Sequence, residues 1–365
     1  MLSQDGMTGL QLSRRFYFEE VKLIIDRHFP QLRYSAALIG HGSEVLGFDD
    51  EMSRDHHWGP RLMLFLNQEQ HRTLCAELDA CLRKNLAPVY LGFSTNFSSP
   101  DECGVRLMVP GESGSIDHIV EILTVEGYFS RLLGIDIQKP IGVMDWISFP
   151  QQLLLATQVG AVFFDEVGLG EARLKIRYFP ESVWRYIIAS VWQRIGQEEH
   201  LAPRAGITGQ ETGSKIIAAR LVRDIMQLVF LYEKKYFPYS KWFERAFLKL
   251  NHAGLYQPVL SKILGESSWK RRQSALCDAF ELLCKLHNGL NITCPIPEKR
   301  REWHGRSFDA IQGEEITELI IDSISAKEFP DKLLRNPVGA IDQISDNTDV
   351  LECVNIRRAI IHSLV

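Results

Sequence analysis

The 365-residue sequence lacks a CxxC pair, a long uninterrupted apolar run and an excess of positive charge. Each absence removes a class of protein. The seven cysteines (Cys75, Cys81, Cys103, Cys277, Cys284, Cys294 and Cys353) are odd in number and scattered. That spacing suits neither a zinc ribbon nor a disulfide framework, so free thiols and a reducing, cytoplasmic setting are expected. The opening segment MLSQDGMTGLQLSRRF has no apolar stretch of the signal-peptide kind. No segment reaches the roughly 18 apolar residues that a membrane span requires. The run 216–231 comes nearest but is broken by Arg220, Arg223 and Asp224, which reads as a buried helix with one charged face. With a net charge of −5, nothing global draws the chain to nucleic acid or an anionic membrane, and neither is expected as a partner.

What the chain does contain is enough apolar material for a full core. Hydrophobic residues make up 45% and charged residues 24%, in a length that suits two domains. Apolar spacing predicts a helix over 8–28, strands at 35–40, 61–66 and 118–125, and a helix over 68–84. Residues 92–114 read as a long loop holding one short strand, and a helix begins near 129. After a boundary around 134–150, helix 151–157 precedes an expected hairpin: AVFFD, the turn EVGLGE, and ARLKIRYFP. Helices are then expected at 181–195, 213–236, 239–250, 256–265 and 269–287. In the last stretch EEITELIIDSIS reads as helix and 331–350 as loop-rich. The fold class is an α/β (α+β) N-terminal domain with a short mixed sheet over 1–145. A mainly α-helical domain with the hairpin follows over 146–365.

The unusual stretch is IGHGSEVLGFDDEMSRDHHWGPRLMLFL, residues 39–66. A strand enters the Gly42-Ser43 pair, Asp55-His56-His57 follows, and a second apolar strand comes next. Polar residues between two strands point to function, because loops on a rigid scaffold carry sites. Glu121, in HIVEILTV, shares a period-2 face with Ile119, Leu123 and Val125, and a charge there needs a partner. Asp117 is the alternative carboxylate.

This pattern resembles the nucleotidyltransferase superfamily that includes kanamycin- and streptomycin-modifying enzymes. Gly42 and Ser43 match the superfamily's Gly-Ser pair, Ser53 and Asp55 its Ser-Asp-x-Asp segment with Arg54 inserted, and Glu121 its third carboxylate. VFFDEVGLG, residues 162–170, looks like a hairpin that often follows the catalytic domain there. GHGSEVLGFDDEMSRDHHWGPR, YFPESVWRYIIASVWQRIGQEE and KYFPYSKWFERAF are similar to a bacterial family described as nucleotidyltransferase-like and of unknown function. The resemblance covers most of the chain. It implies transfer of a nucleoside monophosphate from ATP to a hydroxyl of a small molecule, in the cleft between the domains. It implies Mg²⁺ or Mn²⁺ held by Asp55, Glu121 and the residue at position 57. In the superfamily that last position is Asp, and here it is His57, a poor ligand for a hard, oxygen-preferring ion. Asp49, Asp50 and Glu51 are placed either to supply the missing charge or to form a solvated turn.

Further candidates lie in the second half. Glu198 and Glu199 are candidate general bases for the acceptor hydroxyl. Arg204 is a candidate phosphate ligand in the polar segment 197–214. Lys241, in the basic-aromatic cluster with Tyr236, Tyr239 and Trp242, is a second. Two alternatives stay open: a catalytically degenerate nucleotidyltransferase fold that binds nucleotide or a partner, and a metal-dependent phosphoesterase using Asp55, His56 and His57.

Overall fold

The computed structural model describes residues 6–53, 58–102, 104–113, 116–325, 327 and 329–365, with the backbone only of Glu51. Its contacts divide the chain into two units. The first holds Met1–Pro140 and Leu153–Arg177, the second Ile141–Gln152 and Tyr178–Val365. The sequence places its boundary at 145/146, whereas the contacts return a later segment to the first unit.

The first unit opens with a capping box. Thr8 Oγ1 accepts from Gln11 N, and the Gln11 side chain accepts from Thr8 N. This starts α1 (Gly9–Phe16), which runs through a π-helical stretch, Tyr17–Val21, into α2 (Lys22–His28). The expected helix over 8–28 is therefore present, with a widened middle. Next come β1 (Tyr34–Leu38), α3 (Ser43–Leu46), β2 (Leu62–Leu66) and α4 (Gln68–Asn85). The loop region carries the short pair β3 (Val89–Tyr90) and β4 (Phe93–Ser94), then β5 (Val120–Thr124) leads directly into α5 (Val125–Leu133). Strands β1 and β2 are buried along their whole length, which explains their continuous apolar runs.

The segment after α6 (Val143–Ser148) and α7 (Gln151–Gln158) corrects the expected hairpin. AVFFD is β6 (Ala161–Asp165), but ARLKIRYFP does not pair with it, and α8 (Leu169–Lys175) forms instead. Asp165 drives this: its carboxylate accepts from the backbone N–H groups of Gly168, Leu169 and Gly170. Burial works against its charge, yet these bonds and one from Ser35 hold it below the ordinary carboxylate range. Strand β6 pairs antiparallel with β1. The result is a four-stranded mixed sheet in the order β5-β2-β1-β6, with β2 antiparallel to β1 and parallel to β5. On one sheet face Leu62, Leu64, Leu66, Tyr34, Ala36 and Val120 pack against the stripe of Leu12, Phe16, Tyr17 and Val21.

The second unit is built on α9 (Glu181–Glu198), α10 (Leu201–Ile207) and α11 (Glu211–Tyr232), followed by α12 (Phe243–Phe247), α13 (Ala253–Gly265) and α14 (Trp269–Gly289). A short pair β7 (Arg301–Glu302) and β8 (Asp309–Ala310) precedes α15 (Gly313–Asp322), α16 (Asp331–Arg335), α17 (Ile341–Ile344), α18 (Thr348–Glu352) and α19 (Val354–His362). The expected loop at 197–214 thus contains α10. The expected helix at 239–250 is a 3-10 turn, Ser240–Trp242, leading into α12. Helices α9 and α15 approach closely at two glycines: a Cβ on Gly196 would lie 2.6 Å from Glu314 N, and one on Gly313 would lie 2.7 Å from Trp192 O. Inside the bundle Trp192 Nε1 donates to Tyr232 Oη at 2.8 Å, and that hydroxyl lies 3.2 Å from His287 Nδ1. Burial pushes His287 down to about 4, so its imidazole is neutral. The fold is α+β with a small mixed sheet and a helical C-terminal region. Among the described residues no helix is long and apolar enough to cross a membrane.

Candidate functional site

Strand register brings Gly42, Ser43 and Glu121, among the sequence candidates of the first unit, to one end of its sheet. Ala37, near the end of β1, pairs with Met63, and Met63 pairs with Glu121. Leu38 pairs with Ala161, the first residue of β6. The Gly40–Ser43 corner, the start of β2 and the start of β5 therefore share that end.

The corner is shaped by glycine. Gly42 has φ +139°, and a Cβ there would meet Arg61 Nη2 at 2.5 Å and Glu44 Oε2 at 2.7 Å. Arg61 Nε donates to Glu44 Oε1 at 2.7 Å, and its Nη2 donates to His41 O at 2.8 Å. Ser43 Oγ donates its proton to Ser53 O at 3.0 Å. The two aspartates weighed as extra ligands are engaged in the turn. Asp49 Oδ2 accepts from Gly9 N and Trp58 Nε1, and Asp50 Oδ1 accepts from the backbone and hydroxyl of Ser53. Asp55, His56 and His57 lie outside the described residues.

Gly40, at φ +94°, sets the corner against the sheet face opposite α1 and α2. A Cβ there would lie 3.4 Å from Met63 Cε and 3.5 Å from Tyr128 Oη. Met63 thus neighbours both Gly40 and Glu121. The Tyr128 ring, on α5, stands edge-on to Phe65 at 5.7 Å. Its hydroxyl is buried and has no hydrogen-bond partner among the described residues. Burial pushes the phenol well up, so it stays protonated and can donate. An unmade bond at a buried hydroxyl costs about 1–3 kcal/mol, which marks this spot as one where a polar ligand would be welcome. No sequence signal separates Tyr128 from a core aromatic.

Glu121 is half exposed and pairs with an arginine. Arg131 Nη2 lies 3.1 Å from Glu121 Oε2, with side chains 58% and 41% exposed. The other oxygen, Oε1, forms no hydrogen bond among the described residues, and its charge and exposure suit a hard cation. Asp117, the alternative carboxylate, is bound by Arg83 and Arg106. Burial opposes its charge, but those guanidinium groups hold it below the ordinary range. Among the described residues no three His, Cys, Asp or Glu side chains gather for a metal ion.

The remaining candidates belong to the second unit. Glu198 ends α9, mostly buried, and pairs with Arg220 at 2.5 Å. Glu199 is fully buried, and its two oxygens accept from Ile311 N at 2.7 Å and Gly313 N at 2.9 Å. Burial pushes its carboxyl up to about 7 despite those bonds. Arg204 is exposed on α10. Lys241 is exposed, its Nζ 4.8 Å from the centre of the Trp242 ring.

Residues 146–243 match a family described as a domain of unknown function (DUF4037). No curated protein matches the chain. Among solved structures the chain is similar to a nucleotidyltransferase-like protein from Exiguobacterium sibiricum 255-15, at 12% identity and a TM-score of 0.29, over 76% of this chain and 74% of that one. A likeness that slight carries no argument about the site.

Proposed function

We propose that the first unit carries out metal-dependent transfer of a nucleoside monophosphate from ATP to a hydroxyl of a small molecule. One observation carries the reading: at one end of a mixed sheet Gly40 lies beside Met63 and a buried tyrosine hydroxyl with no hydrogen-bond partner among the described residues, and Met63 is in register with a half-exposed carboxylate. The resemblance of Gly42, Ser43, Asp55 and Glu121 to the superfamily pattern supports the same corner. Glu121 and Asp55 are the oxygen donors for Mg²⁺ or Mn²⁺. The ion, when bound, supplies charge neutralisation to the phosphates. The chain's own part is positioning. Glycine at 40 and 42 lets backbone approach the triphosphate, and the Tyr128 hydroxyl donates to an oxygen beside Gly40. Ser43 reaches a phosphate by giving up its bond to Ser53 O. Glu198 and Glu199 stay outside the proposal, since one is ion-paired and the other has both oxygens occupied by backbone.

His57 favours a second reading, a fold that binds nucleotide without transferring it, because imidazole replaces a carboxylate at a metal position. Calorimetric titration of ATP, with and without Mg²⁺ or Mn²⁺, on wild type, Asp55→Ala and Glu121→Gln, separates the two. Metal-dependent binding lost in both variants supports transfer. Binding that ignores the metal and both substitutions supports the second reading. No binding at all removes the nucleotide from this corner.

A further inference from the structure

The second unit contains a pocket of about 280 Å³. Phe237, Tyr239 and Phe243 supply aromatic wall, and Asp342 lines the pocket although only 5% of the residue is exposed. Its Oδ2 accepts from Gln151 N at 2.9 Å, while Oδ1 forms no hydrogen bond among the described residues. Arg223 and Asp346 also line the pocket and are paired with each other at 2.5 Å.

We infer that this pocket binds a small organic ammonium ion, with the Asp342 carboxylate as its counter-ion. A carboxylate that lines a cavity with one oxygen not hydrogen-bonded among the described residues offers a charge-assisted bond to an N–H of such a ligand. Aromatic walls add attraction to a cation and cover its apolar part. Two carboxylates, Asp342 and Asp346, against one guanidinium, Arg223, give the lining the wrong net charge for anions. A divalent metal ion needs about six oxygen ligands, and among the described residues no three His, Cys, Asp or Glu side chains gather to hold one. Burial also works against the Asp342 charge: its carboxyl is pushed up to about 7, and Gln151 N–H, Arg223 and Arg357 only partly counter the loss of water and Asp346. A cation in the pocket removes that penalty. The inference is independent of nucleotidyl transfer.

Benzylammonium chloride is the probe, with benzyl alcohol as its uncharged counterpart, titrated calorimetrically at pH 8 into wild type, Asp342→Asn and Tyr239→Ala. Wild type should bind benzylammonium and not benzyl alcohol. Asp342→Asn, which keeps an acceptor for Gln151 N, should weaken binding at least ~10-fold, the scale of one charged hydrogen bond. Tyr239→Ala should weaken it severalfold. Equal affinity for the alcohol, unchanged affinity in Asp342→Asn, or no binding to wild type at millimolar probe would overturn the inference. Circular dichroism checks folding. If Asp342→Asn does not fold, Tyr239→Ala, which removes a ring that is 47% exposed, decides alone: unchanged affinity there overturns it.

Discussion

Arg61 and Glu44 form an ion pair across the glycine corner, Nη2 to Oε1 2.5 Å, with side chains only 12% and 5% exposed. Arg61 also holds His41 O, so one guanidinium ties the corner to the start of β2. Breaking such a pair strands a charge away from water. Glu44→Ala should therefore lower unfolding free energy by about 3 kcal/mol. Arg131→Ala, at the exposed pair with Glu121, should change it by less than about 1 kcal/mol. Urea midpoints on the two variants test the contrast, and equal effects would count against a buried pair.

Two glycines with left-handed backbone should respond differently to a methyl group. Gly47 has φ +68° and nothing within 4 Å of a built Cβ, so Gly47→Ala should cost about 1–2 kcal/mol of backbone strain. Gly160 has φ +75°, and its Cβ would sit 2.0 Å from Leu38 O. Gly160→Ala must also push β6 from β1, and its melting temperature should fall well below that of Gly47→Ala.

Stability of the second unit should fall as pH rises from about 4 to 7. Burial raises Asp342 and Glu199 each to about 7, so between the ordinary carboxylate range and that value both are neutral when folded and ionised when unfolded. Their stabilising effect is complete below the ordinary carboxylate range and lost by pH 7, on the order of 3 kcal/mol for each group. His287 acts oppositely. It is pushed down to about 4, so its effect is complete above its ordinary range and lost as pH falls toward 4. Two carboxyls against one imidazole leave a net fall. Asp342→Asn should leave a nearly flat profile, measured by urea midpoints at pH 5 and 7.5.

Replacing the imidazole with a carboxylate should strengthen metal-dependent nucleotide binding. His57→Asp is expected to raise ATP affinity in Mg²⁺ at least ~10-fold and to remove any preference for Mn²⁺, since Mg²⁺ favours oxygen donors. Titration in each metal reads this directly, and unchanged affinity would place the ion elsewhere.

The helices and the buried strands were legible because their apolar spacing is strong. β1, β2 and α4 fall close to where periodicity places them. The hairpin was misread for a local reason. ARLKIRYFP alternates as a strand would, but Asp165 three residues before Gly168 caps a helix, and that capping outweighs the alternation. α10 escaped notice because Pro203 and Gly206 weaken its helical signal. Tyr128 and Asp342 gave no signal, since an unpartnered hydroxyl or a pocket carboxylate is defined by neighbours distant in sequence. Arg61 was visible only as one charge before a strand.

The pairing of β1 with β6 joins residues about 130 positions apart, with β2, α4, β5 and α5 between them. During synthesis the first unit cannot close its sheet until AVFFD has left the ribosome. Until then β1 presents an unpaired edge of buried, apolar sequence, open to a neighbouring nascent chain. Cutting the gene after residue 145 would make that exposure permanent, so the N-terminal fragment should aggregate where the chain carried through α8 stays in solution.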